Sequence, residues 1–171
     1  MKIIAKRRKI EGKTNYLKRK KLLENQKMRI VVRKTNRYII IQSVESSAAQ
    51  DKVVLSVISK DLLNLGWSNA REGSLKSLPA AYLTGFLFGN LMKKKAEKEK
   101  HVKNADYTVD TGLIRSTAGS RMYATIKGVI DSGIKVKCNE KMFPEEKRIK
   151  NDKVGNFFDK IKDNINKSGE K

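Results

Sequence analysis

Three short runs rich in β-branched residues stand close together in the first third of the chain: Arg29-Ile-Val-Val-Arg-Lys34, Tyr38-Ile-Ile-Ile-Gln-Ser-Val44 and Lys52-Val-Val-Leu-Ser-Val-Ile58. Runs of this length and composition predict strands. Thr35-Asn36-Arg37 has hairpin length, and Asn36 tolerates a left-handed turn. The second link, Ser46 to Asp51, is small and polar. An antiparallel three-strand meander follows. Strand period sends Ile30 and Val32 to one face of the first strand and Arg29, Val31 and Arg33 to the other. The two arginines either form a basic stripe with Arg37 or protect a sheet edge from pairing.

Past the meander the period changes. Asp61-Leu-Leu-Asn-Leu-Gly66 predicts a short helical turn closed by glycine, and Trp67 to Ser77 an irregular loop. Ser77, with Pro79 just after it, opens a helix over about 78–98 that is apolar at first and Lys-rich at its tip. Gly85 and Gly89, four apart, suit close packing of that helix on a sheet. Asp106 to Asp110 predicts a further strand, parallel to an earlier one because a long helix precedes it. Met122, Ile126, Val129 and Ile130 mark an amphipathic helix over 120–133, with Gly133 at its end. Val154, Phe157, Phe158, Ile161 and Ile165 carry helical spacing too, for docking on the core or on a partner. Ahead of the strands, residues 1–14 read as extended, and Thr14 or Asn15 caps a helix over about 16–24.

The expected fold is therefore α/β: a mixed sheet with an antiparallel three-strand meander, packed by helices, with a basic extended N-terminal arm and a C-terminal helix. The division is a basic extension over 1–27, a compact domain over 28–150 and an amphipathic helix over 151–171.

Charge adds what periodicity lacks. The 171 residues carry a net charge of +21. Residues 1–37 hold fifteen of the 39 Lys and Arg but only two acids, Glu11 and Glu24. A concentrated cationic segment is an electrostatic footprint for a polyanion. Tyr16, Tyr38 and arginine planes add stacking surfaces for unpaired bases. A solvated charge run and a membrane-surface segment are the competing readings. The second wants apolar anchors on one face, and residues 5–21 offer little beyond Ile10, Tyr16 and Leu17. No apolar run reaches the ~18 residues of a membrane span. The first residues are too basic and too weakly apolar for a secretory signal.

Candidate catalysts are few. One cysteine, Cys138, excludes an internal disulfide, and His101 is the one histidine. Lys137 and Asn139 beside Cys138 are placed to lower its pKa. Asp106 and Asp110, with Asp61 or Asp131, imitate the metal-binding carboxylates of a nuclease. Gly112 to Arg121 sets small residues, hydroxyls and two arginines, Arg115 and Arg121, just before a helix N-terminus, where an anion such as phosphate is favoured. An ordinary strand-to-helix connection with Ser120 as its cap is the alternative. The GxxxxGK[ST] pattern of a nucleotide-binding loop is absent. No cofactor and no small-molecule substrate is expected.

Four ordered blocks then resemble one family: Lys6-Arg-Arg-Lys-Ile-Glu-Gly-Lys-Thr-Asn-Tyr16, Arg29-Ile-Val-Val-Arg-Lys-Thr-Asn-Arg-Tyr38, Leu78-Pro-Ala-Ala-Tyr-Leu-Thr-Gly85, and Gly119-Ser-Arg-Met-Tyr-Ala-Thr-Ile-Lys-Gly128 with Asp131-Ser-Gly133. They are similar to the archaeal and eukaryotic branch of the large-subunit ribosomal protein L-eighteen family, over about residues 5–150. The resemblance implies a non-enzymatic structural constituent of the large ribosomal subunit, in the cytoplasm. It implies binding to 5S rRNA and attachment of that RNA at the central protuberance, with contacts to the large rRNA and to neighbouring large-subunit proteins. It places Lys6, Arg7, Arg8, Lys13, Thr14, Tyr16 and Arg19 in an RNA-binding extension, and Arg29, Arg33, Asn36 and Arg37 in a basic hairpin. A metal-dependent nuclease using Asp106 and Asp110, and a general nucleic-acid chaperone, are the alternatives.

Overall fold

A computed structural model describes residues 5–24, 27–47, 50–68, 74–98, 107–150 and 155–170. Four strands form one sheet: β1 (Met28–Lys34), β2 (Ile39–Ser47), β3 (Gln50–Ile58) and β4 (Tyr107–Asp110), in the order β3-β2-β1-β4. β1–β2 and β2–β3 are antiparallel and β4 runs parallel to β1, as the sequence predicts. The first hairpin closes on Thr35, whose N–H donates to the Tyr38 carbonyl at 2.8 Å. The second hairpin is tighter than its composition suggests. Ser46 and Asp51 are paired across the ladder, as are Ser47 and Gln50, so the small polar stretch is mostly strand. A register shift at Ser43/Val44 lies in this pair.

Among the described residues six α-helices accompany the sheet: α1 (Arg7–Ile10), α2 (Tyr16–Glu24), α3 (Leu78–Lys98), α4 (Arg121–Asp131), α5 (Glu146–Lys150) and α6 (Gly155–Glu170). A 3-10 turn, Ser59–Leu65, ends at Gly66 with φ +104°, the glycine stop its sequence announces. The arm departs from the extended reading within residues 5–14. α1 is a single helical turn, closed by Lys9 N–H and Ile10 N–H on the Lys6 carbonyl. Arg8 then donates from Nε to Thr14 Oγ1 at 2.9 Å and folds the arm back on itself. Asn15 is the cap of α2, accepting from Lys18 N–H at 3.0 Å.

The core lies on one face of the sheet. Met28, Ile30, Val32, Ile39, Ile41 and Val57 pack there against α3 and α4. α6 joins them: Phe158, Ile161 and Ile165 are buried in this same core, Phe157 sets its ring edge-on to Trp67, and Asn164 donates to the Leu65 carbonyl. Phe157, Phe158, Ile161 and Ile165 are thus satisfied within the chain, and Val154 lies outside the described residues.

Glycine spacing was legible, but its partner is a helix and not the sheet. A Cβ built on Gly85 would lie 2.0 Å from the Thr125 carbonyl oxygen, and one on Gly128 would lie 2.2 Å from the Tyr82 carbonyl oxygen. α3 and α4 touch backbone to backbone at these positions. Both obstructing atoms are main chain, so no side-chain rotation relieves the clash. Gly128→Ala is expected to cost about 2–3 kcal/mol, at the upper end for overpacking. Urea unfolding of the variant beside the wild type measures it, and an unchanged midpoint would refute the contact.

Candidate nucleic-acid interface

The sheet's second face carries a polar cluster organised around two carboxylates. Arg29, Val31 and Arg33 point to it from β1, Asp110 from β4, and Ser46 and Asp51 from the second hairpin. Arg29 donates from Nη2 to Asp51 Oδ1 at 2.8 Å and to Ser46 Oγ at 2.7 Å, and its Nη1 lies 3.7 Å from Asp110 Oδ2. Arg33 donates to Asp110 Oδ2 at 3.0 Å and to the Asp110 carbonyl at 2.7 Å. Gly112, at φ +64°, makes the turn that brings its N–H to Asp110 Oδ1 at 2.7 Å. Two arginines thus share a face without repelling it apart, because an acid sits between or beside each.

Burial pushes the Asp110 carboxyl up, but the Gly112 N–H, Arg33 and Arg29 outweigh it and hold the group below the ordinary carboxylate range. At Asp51 burial is likewise overcome, by Ser46, Arg29 and Arg19.

α2 is tied to this face at two points. Arg19 donates from Nη2 to Asp51 Oδ2 at 2.9 Å, and Lys18 donates from Nζ to the Gly112 carbonyl at 2.9 Å. Between the arm and the sheet lies a cleft of about 340 Å³. Arg8, Lys13, Lys18, Arg19 and Arg33 line it, with Asp110 as the one acid among the described residues. Thr14 and Asn15 contribute hydroxyl and amide groups. Five cations facing one carboxylate around an open cleft suit an anionic chain that threads between arm and sheet.

The remaining arm residues stand around it. Lys6 Nζ sits 4.6 Å over the Tyr16 ring, which is half-buried. Arg7 is exposed and pairs with Glu11, as does Lys13. At the hairpin tip Asn36 and Arg37 are exposed, and Lys76 donates to the Asn36 carbonyl at 3.0 Å. Tyr38 is half-buried and packs against the core. Arg115 and Arg121 lie apart from the cleft, on a second cavity with Lys34 and Arg148.

Several expectations change. The Arg29 side chain is 3% exposed and held in ion pairs, so it contributes to no open basic stripe. β1 is an interior strand, so the edge-protection reading of Arg29 and Arg33 fails as well. The carboxylates proposed for a metal are dispersed: Asp61 accepts from Ile58 N–H, Asp131 from the Tyr82 hydroxyl at 2.7 Å, and Asp110 is occupied by arginines. Asp106 and His101 lie outside the described residues. Among those described, no group of three metal-ligating side chains is gathered. Burial pushes the Cys138 thiol up, opposite to the activation its neighbours suggest. Ser120 occupies the N-cap position of α4 but its side chain makes no capping bond. No described helix is long and apolar enough to cross a membrane. Sequence reading counts Lys18 within the basic arm without its anchor at Gly112 and passes over Asp51 and Arg148, whose roles depend on residues far along the chain.

Comparison with known proteins agrees with the charge pattern. Residues 2–108 match the family described as ribosomal large subunit proteins 60S L5 and 50S L18. The large ribosomal subunit protein uL18 of Korarchaeum cryptofilum is 41% identical over 157 residues, covering 92% of this chain and 75% of that protein. The uL18 of Methanococcoides burtonii is 40% identical, covering 95% of this chain and 92% of the relative. That of Methanoregula boonei is 37% identical over 94% and 86%. Both the matched segment and the shared length show that the chain belongs to the uL18 family of large-subunit ribosomal proteins.

Proposed function

We propose that this protein is a structural constituent of the large ribosomal subunit that binds 5S rRNA and attaches it at the central protuberance. It also contacts the large rRNA and neighbouring large-subunit proteins, and works in the cytoplasm as part of the ribosome. The observation that carries this reading is the cleft between arm and sheet, where Arg8, Lys13, Lys18, Arg19 and Arg33 converge. Lysines neutralise phosphates as point charges, and arginines grip them bidentately. The arm's folded turn and its anchor at Asp51 hold these groups in place before RNA arrives, which lowers the ordering cost of binding. Nothing in this action requires a chemical step. The protein positions an RNA and screens its charge.

Filter binding of 5S rRNA at rising salt tests the proposal. A logarithmic plot of affinity against salt falls with a slope of about 0.7–0.9 per phosphate neutralised. A flat profile would oppose an electrostatic clamp. Arg8→Gln combined with Lys13→Gln is expected to weaken binding about tenfold and to reduce the slope by about 1–2. A large excess of tRNA should leave 5S rRNA bound; displacement would point instead to a general nucleic-acid chaperone.

A further inference from the structure

At the opposite end of the 111–120 loop from the cleft, a second cavity of about 430 Å³ opens at the start of α4. Four cations line it from four separate places: Lys34 at the end of β1, Arg115 in the loop, Arg121 as the first residue of α4, and Arg148 in α5. Among the described residues no acid is on its wall. Among the described residues none of the four has a carboxylate within ion-pair distance, whereas Arg19, Arg29 and Arg33 all do. Bringing like charges together with no counter-ion is unfavourable, and the sequence here lacks the acids it supplies on the sheet.

Two further features point to an anion. α4 begins on this wall, and the first N–H groups of a helix have no partner within it. Ser120, whose hydroxyl would ordinarily cap one of them, makes no such bond. Its Oγ is shielded from solvent and has no hydrogen-bond partner at all. Gly119, at φ +67°, makes the turn of this wall, and a Cβ there would lie 3.0 Å from Arg148 Nη1.

We propose that this cavity is a second phosphate seat, which takes a phosphodiester of an rRNA backbone independently of the arm. The inference rests on the RNA-binding function argued above, and adds a contact on the core domain with Lys34 and Arg148 as members. The loop and α5 arginines clasp the phosphate oxygens, and the first N–H groups of α4 donate alongside them. Such a seat adds a second fixed point that sets the orientation of the core domain on RNA, which contacts of the basic arm alone do not define.

Phenylglyoxal labelling of the full chain, read arginine by arginine by mass spectrometry, tests it. Free protein, protein with 5S rRNA, protein with large-subunit rRNA and protein with inorganic phosphate alone are compared. The expected result is protection of Arg115, Arg121 and Arg148 by one of the two RNAs. Equal labelling of all three in free and RNA-bound protein overturns the seat. Protection by inorganic phosphate but by neither RNA also overturns it, as a site for a free anion. Protection by large-subunit rRNA without any 5S binding in the filter assay supports the seat while counting against the 5S assignment. The variant R115Q/R121Q/R148Q, checked for an unchanged melting temperature, is expected to bind the protecting RNA about tenfold more weakly. Its salt slope should fall by about 1–2.

Discussion

Removal of residues 1–20 is expected to weaken binding to 5S rRNA by about three orders of magnitude and to leave the core folded. The deleted segment holds nine of the chain's Lys and Arg and one acid, Glu11. Loss of about five or six phosphate contacts lowers the salt slope by about four and removes affinity on this scale at moderate salt. The core should survive because the arm contributes almost nothing to it. α1 and α2 bury no residue, and Leu17 is 76% exposed. Deletion breaks the Arg19–Asp51 pair, which is half-exposed and worth under about 1 kcal/mol. Asp51 keeps Arg29. Circular dichroism and urea unfolding of the truncated chain check the fold, and filter binding checks the affinity. Undiminished binding by the truncated protein would move the clamp off the arm. Loss of folding together with binding would show that the arm is structural.

The fold was largely written in local pattern. Three β-branched runs became three strands in the expected order, because a strand needs only period and length to be recognised. α4 and α6 were legible from apolar spacing, and the 3-10 turn from its terminal glycine. What stayed hidden depends on pairs distant in sequence. Arg29 and Arg33 looked like free cations, since their neighbours carry no acid; Asp51 and Asp110 are 22 and 77 residues further on and reach them only through the sheet register. Gly85 announced a close approach, but which element approached was decided by Gly128 and Thr125 on a helix forty residues away. Arg115 and Arg121 could be tied to a helix start, whereas Arg148 joins them through tertiary packing alone. Charge in the arm was visible at once because counting it needs no partner.

Asp110→Ala is expected to destabilise the protein by about 2–3 kcal/mol, the range for removing hydrogen bonds to charged groups, because Arg33 is partly exposed and Arg29 keeps Asp51. The Asp110 side chain is 11% exposed and shares Oδ2 between Arg33 at 3.0 Å and Arg29 at 3.7 Å, while Oδ1 accepts from Gly112. Without it the Arg29 guanidinium, 3% exposed and already lacking a partner for Nε, keeps only Asp51 and Ser46. Acid titration gives the same interaction a second readout. The Asp110 carboxyl titrates below its ordinary range when folded, so on acidification the unfolded chain takes up its proton first. The stabilisation is therefore complete above about pH 4, where a free carboxylate is ionised, and is lost as pH falls through the folded value. Asp51 adds a contribution of the same sign. Urea midpoints measured from pH 7 down to pH 2 should fall steeply at the acid end for the wild type and less steeply for Asp110→Ala. Parallel acid limbs in the two proteins would mean that Asp110 is as free in the folded chain as in the unfolded one. The second face of the sheet would then lack the ion pairs that hold Arg33 at the rim of the cleft and Gly112 under Lys18, and the variant's RNA affinity would be that of the wild type.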